Sequence, residues 1–201
     1  MQFIGIGNTS YAAASTFEKV FKGDYSETIK LAYINSLITD PYHGIDYIDS
    51  GYDLSILNHK QYKKMILTIA QSIYSMRLIK SDRVNLTKKE YDIALNSVSS
   101  NNREIDTLRT FELTDKERHK IFTSILNKRD ERTIICTIIN KKDIRLQQHE
   151  VKHLVYFVVQ DKNYMIANIL NKYYHQEIKL LNSELLDQFE AMIVAYNLFK
   201  D

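Results

Sequence analysis

The chain has 201 residues, 44% of them hydrophobic and 26% charged, which is enough to build a sizeable core and argues against wholesale disorder. One proline and 5 glycines exclude collagen, elastic linkers and a turn-dense sandwich, and favour long helices. Lysine plus arginine is 27 against 25 acidic residues, a net charge of +2 that lacks the basic excess of a nucleic-acid binder, and the single cysteine, Cys136, excludes an intrachain disulfide framework or a cysteine-based zinc knuckle.

The first fifteen residues carry no charged start and no sustained apolar stretch, so no cleavable signal is expected. The strongest apolar runs, Ile134 to Ile139 and Leu154 to Val159, fall far short of the ~20 residues that span a bilayer. A soluble protein is expected, cytoplasmic or exported by a dedicated secretion system. Gly5-Ile6-Gly7 lacks the third glycine of a dinucleotide loop and reads as a turn.

The first half reads as helical. A short Ala-rich helix is expected over Tyr11 to Lys22, and Asp24 with Glu27 forms a capping-box pattern opening a helix from Tyr25 to Ile38. Asp40 to Gly44 reads as a loop, with Asp40 extended because proline follows it. Tyr62, Ile66, Ile69, Ile73 and Met76 recur at helical spacing and predict one long helix over His59 to Ile79. Thr87 with Glu90, and Thr114 with Glu117, are capping boxes that open two more helices, to about Val98 and Asn127.

Ile105 to Phe111 has the composition of a strand. Arg132 to Ile139, continuous and β-branched, is the best strand in the chain and ends in a polar turn at Asn140 to Asp143. Helices are expected from Ile144 to about Val159, from Lys162 to Tyr174 and from Ser183 to Phe199. The predicted fold class is α+β, mainly α: one domain, with a helical part over residues 1–100 and, over residues 101–201, a core with a small sheet before the helix that carries residue 149.

His149-Glu150-Val151-Lys152-His153 is an HExxH pattern. On a helix the two histidines project about 40° apart, one turn along the same face, with Glu150 at about 60° from His153. Two imidazoles at that spacing can hold Zn²⁺ while the neighbouring carboxylate takes a proton from metal-bound water. The flanks are apolar, and polar groups on a buried helix need partners. A catalytic zinc needs a third protein ligand. Glu184 and Glu190 border the apolar stripe of the last helix (Leu185, Phe189, Met192), and His175 lies between.

HEVKH, with Glu184 31 residues beyond His153 at a helix start, resembles the zincin metallopeptidases, in the branch whose third ligand is glutamate. The resemblance covers roughly residues 132–199 and implies a zinc-dependent endopeptidase acting on a protein or peptide substrate. Under it His149, His153 and Glu184 (alternatively Glu190) bind Zn²⁺, and Glu150 is the general base. Residues 133–139 would be the strand beside the substrate. Tyr174 and His175, with Tyr173, would be the candidate donors to the oxyanion. Lys152 stands where the group usually has an apolar or small residue, and no glycine or further histidine follows in the metzincin pattern. The alternative is a non-enzymatic helical interaction or effector protein, in which HEVKH is accidental or a structural metal site. Residues 116–120 (KERHK) read as an exposed face of mixed charge, Cys136 as a buried inert thiol, and His43 and His59 as loop-proximal histidines with no tie to residue 149.

Overall fold

The computed structural model describes residues 19–20 and 23–198. The turn at Gly5 to Gly7, the N-terminal signal reading, all of the expected first helix except Lys19 and Val20, and Phe199 lie outside them. Among the described residues every regular element is helical and there is no strand. The predicted small sheet is therefore absent, and the α+β class gives way to an all-α chain. Two compact units are present, divided between Asn101 and Asn102. No helix among the described residues is long and apolar enough to cross a membrane.

The first unit contains α1 (Glu27–Thr39), α2 (Pro41–Asp49), α3 (His59–Ala70), α4 (Ser75–Lys80) and α5 (Lys88–Ser100), with a 3₁₀ turn at Leu54–Ile56. Helix α1 starts at Glu27 behind Ser26, which makes no side-chain cap, so the Asp24–Glu27 box does not form. Asp40 is extended, but residues 40–44 are no loop. The Asp40 carboxylate accepts from the Tyr42 and His43 amides, and Pro41 occupies the first helical turn of α2, where its missing N–H costs nothing. Gly44 is buried inside this helix, where an added Cβ would sit 2.9 Å from the Leu37 carbonyl oxygen and 3.0 Å from Ile69 Cδ1. It is the residue that lets α1, α2 and α3 approach so closely.

The long helix expected over residues 59–79 is two. At the break the Ser72 hydroxyl donates to the Ile69 carbonyl (2.7 Å) and accepts from the Tyr74 amide (3.1 Å), so side-chain bonds replace the helical ladder. The capping box of Thr87 and Glu90 is present at the start of α5. Leu37, Ile45, Tyr47, Met65, Ile69 and Ala94 belong to the core of this unit.

Burial also sets the chemistry of this core at high pH. It pushes the Tyr33 phenol up to about 12 and raises that of Tyr47, whose hydroxyl donates to the Asp53 carbonyl at 2.7 Å. A phenol with a raised folded-state pKa contributes stability that is complete below its ordinary value near 10 and is lost as pH rises through the folded value. The urea midpoint of the first unit should therefore fall steadily above pH about 10, in step with the rise in tyrosinate absorbance.

The second unit contains α6 (Glu104–Thr110), α7 (Asp115–Lys128), α8 (Glu131–Ile139), α9 (Gln148–Gln160), α10 (Tyr164–Ile178) and α11 (Ser183–Leu198). Both expected strands are helices, α6 and α8. In α8 the Asp130 carboxylate caps the start by accepting from the Thr133 amide, and Ile134, Thr137 and Ile138 are buried at helical spacing. In α6 the buried residues are Glu104, Thr107 and Leu108, again three and four apart. Burial of a 3.6-residue stripe has overridden the β-propensity of RTIICTII. Cys136 consequently sits on a helix and is only half-buried.

Helix α9 begins at Gln148, later than expected; residues 144–147 precede it, with Ile144 and Leu146 buried. It packs against α7, α10 and α11. Helix α10 runs on to Ile178 across a break at Tyr174, whose φ of −128° and ψ of 27° are not helical. Lys141 Nζ donates to the Tyr173 carbonyl at this break (2.7 Å) and lies 4.4 Å from the Tyr174 ring centroid.

Candidate functional site

The HEVKH segment occupies the first turn and a half of α9. Its buried stripe is Glu150, Val151, Leu154, Val155 and Val158. Glu150 stands one turn before Leu154 and two before Val158 in the same row, so helical geometry turns it inward with them. His149 and His153 are exposed, His153 only about 60° round the helix from Glu150. The motif is thus divided: the imidazoles meet solvent while the carboxylate points into the unit.

Glu150 is 0% exposed, and both of its oxygens are occupied. Arg118 of α7 clamps it with Nε to Oε1 at 2.8 Å and Nη2 to Oε2 at 2.8 Å. The Gln147 amide also donates to Oε2, at 2.8 Å, the return half of a capping box at the start of α9. Arg118 Nη2 further donates to the Arg145 carbonyl at 2.9 Å, which ties down the segment entering the helix. The arrangement is a bidentate, charge-assisted pair joining α7 to α9. A general base must reach the proton it abstracts. This carboxylate is fully buried and faces a guanidinium and an amide.

The other expected ligands and donors are dispersed. Glu184 and Glu190 are both exposed on α11. Glu190 lines a groove between α10 and α11 with Asn171, His175, Phe189 and Ile193, whereas His149 and His153 are not part of that lining. His175 is exposed, its Nδ1 3.1 Å from Asn171 Oδ1. Tyr174 is wholly buried, its hydroxyl donates to the Ile144 carbonyl at 3.4 Å, and burial raises its pKa, so it is no free oxyanion donor. Tyr173 is half-buried beside Lys172. Among the described residues, no group of three or more His, Cys, Asp or Glu side chains is arranged to hold a metal ion. The set His149, His153 and Glu184 therefore does not fit a three-ligand catalytic zinc, and residues 133–139, being helical, present no strand edge to a peptide.

His119, on α7, stands beside the motif. Its ring centroid lies 6.1 Å from that of His153, which in turn lies 6.2 Å from that of His149. Partial desolvation, then the neighbouring His119 and His149, hold the His153 pKa below the usual histidine value. The stretch 116–120 is accordingly not one exposed face: Glu117 is 2% exposed and Arg118 holds Glu150, while His119 stays exposed. Taken alone, the stretch gives no sign of this, since Arg118 finds Glu150 32 residues later and His119 finds His153 34 residues later.

His43 stacks obliquely against Tyr42, 5.9 Å between ring centroids, with Asp40 Oδ2 at 3.4 Å, and His59 begins α3 behind the Asn58 cap. No protein-family model, curated protein sequence or solved structure matches the chain.

Proposed function

We propose that this chain acts as a non-catalytic helical binding protein, and that the glutamate of HEVKH is a structural residue. The observation that carries this reading is the full engagement of the wholly buried Glu150 by Arg118 and the Gln147 amide. Serving as a base would require breaking a buried, bidentate ion pair, which costs several kcal/mol. Support for a binding role comes from apolar side chains left at the surface of the second unit. Leu180 and Leu198 are 75% and 73% exposed, and Val194, beside the groove between α10 and α11, is 59% exposed. Of these, Val194 adjoins the apolar groove lined by Leu186, Phe189 and Ile193, and an apolar groove is the kind of surface that interaction sites use.

The test is to incubate the zinc-supplemented full chain with a proteome-derived peptide library and to count new termini. The expected result is no time-dependent cleavage above a chain-free control. Cleavage that grows with time and stops on chelation would overturn the non-catalytic reading and restore the peptidase.

A further inference from the structure

We propose that His119, His149 and His153 form a surface site for a single transition-metal ion of the Zn²⁺ class, clipping α7 to α9. All three imidazoles are exposed, and His153 is the shared member, with ring centroids 6.1 Å from His119 and 6.2 Å from His149. With Zn–N bonds of about 2.0–2.1 Å, two imidazoles on one tetrahedral ion have centroids roughly 5–5.5 Å apart. Both of these pairs are about 1 Å too open to share an ion as they stand, and among the described residues no set of three is arranged to hold one. The proposal requires the three exposed side chains to rotate inward while both helices stay in place.

The backbone beneath the rings is fixed. Arg118, the residue before His119, grips Glu150, the residue after His149, through two bonds of 2.8 Å. The two helices that would share the ion are therefore already fastened next to it. His149 and His153 are one turn apart on a single helix, so their mutual spacing is also set by the backbone. Three neutral nitrogen donors suit Zn²⁺, Ni²⁺ or Cu²⁺ and not Mg²⁺ or Ca²⁺, which prefer oxygen. The fourth position is left to water, and the engaged Glu150 gives that water no base, so the site is structural.

The experiment is calorimetric titration of the full chain with ZnCl₂ alone, with thermal unfolding followed in parallel. Wild type should bind one equivalent and unfold at a higher temperature with zinc present. His119→Ala and His149→Ala should each weaken binding by at least about tenfold, since loss of even an outer-shell partner costs a metal site that much, and His153→Ala should remove it. His175→Ala, on an exposed histidine away from the cluster, should bind as wild type does. Absence of saturable binding, or His119→Ala binding zinc as tightly as wild type, overturns the proposal. The outcome is separable from the non-catalytic reading. Zinc bound without cleavage supports both, whereas zinc bound with chelator-sensitive cleavage leaves this site standing and sinks that reading.

Discussion

Replacing Glu150 by Gln should lower the stability of the second unit by about 3 kcal/mol, the low end for breaking a buried ion pair from one side. The amide keeps the shape of the carboxylate and loses its charge. Arg118, whose side chain is 16% exposed, would then hold an uncompensated guanidinium against a neutral group. The Gln147 amide would also lose the charged half of its bond to Oε2. For a unit of roughly 100 residues, a loss of that size moves the unfolding midpoint down by at least about 10 °C. Circular dichroism of Glu150→Gln against wild type measures it. A zincin base, by contrast, could be exchanged for Gln with activity lost and stability kept, so the thermal scan separates the two roles without any substrate.

The second large effect lies in the segment that reads as a strand. In α8, Ile134 and Ile138 are 0% exposed, whereas Ile139 is 43% exposed. Ile134→Ala and Ile138→Ala should each cost about 2–5 kcal/mol, because each leaves a cavity in a packed core. Ile139→Ala should cost less than about 0.5 kcal/mol, as surface substitutions usually do. A strand with one buried face would instead make residues 134, 136 and 138 sensitive alike. Urea unfolding of these variants, with Cys136→Ala included, distinguishes the two periods. On a helix Cys136 is half-buried and its loss should be the milder one.

Helix starts with local chemistry are legible in the sequence. Thr87 with Glu90 and Thr114 with Glu117 form the expected capping boxes, since each bond spans three residues. Pro41 misleads because proline both breaks and begins helices, and here Asp40 caps the helix it begins. RTIICTII misleads because β-branched composition is a weak preference that packing overrides, although Asp130 and Glu131 just ahead of it are ordinary helix-start residues.

HEVKH was legible in one respect and opaque in another. Helical spacing does place His149 and His153 together on one edge of α9. The direction in which Glu150 points depends on Arg118, 32 residues earlier, and no local pattern announces that pairing. The apolar row Glu150, Leu154, Val158 was the available sign that this carboxylate faces inward. His119 was hidden in the same way: amid KERHK it has no visible reason to meet His153, and it does so because Arg118 brings α7 onto α9.

The most direct measurement of the structural role of Glu150 is a double-mutant cycle in urea, using Arg118→Met, Glu150→Leu and the pair together. Each single change should destabilise by about 3 kcal/mol by stranding a charge, and the double should cost no more than either single, giving a coupling free energy of about 3 kcal/mol. Losses that add to within about 0.5 kcal/mol would mean that the two side chains act independently, and Glu150 would be free for the proton-transfer role that its sequence pattern suggests.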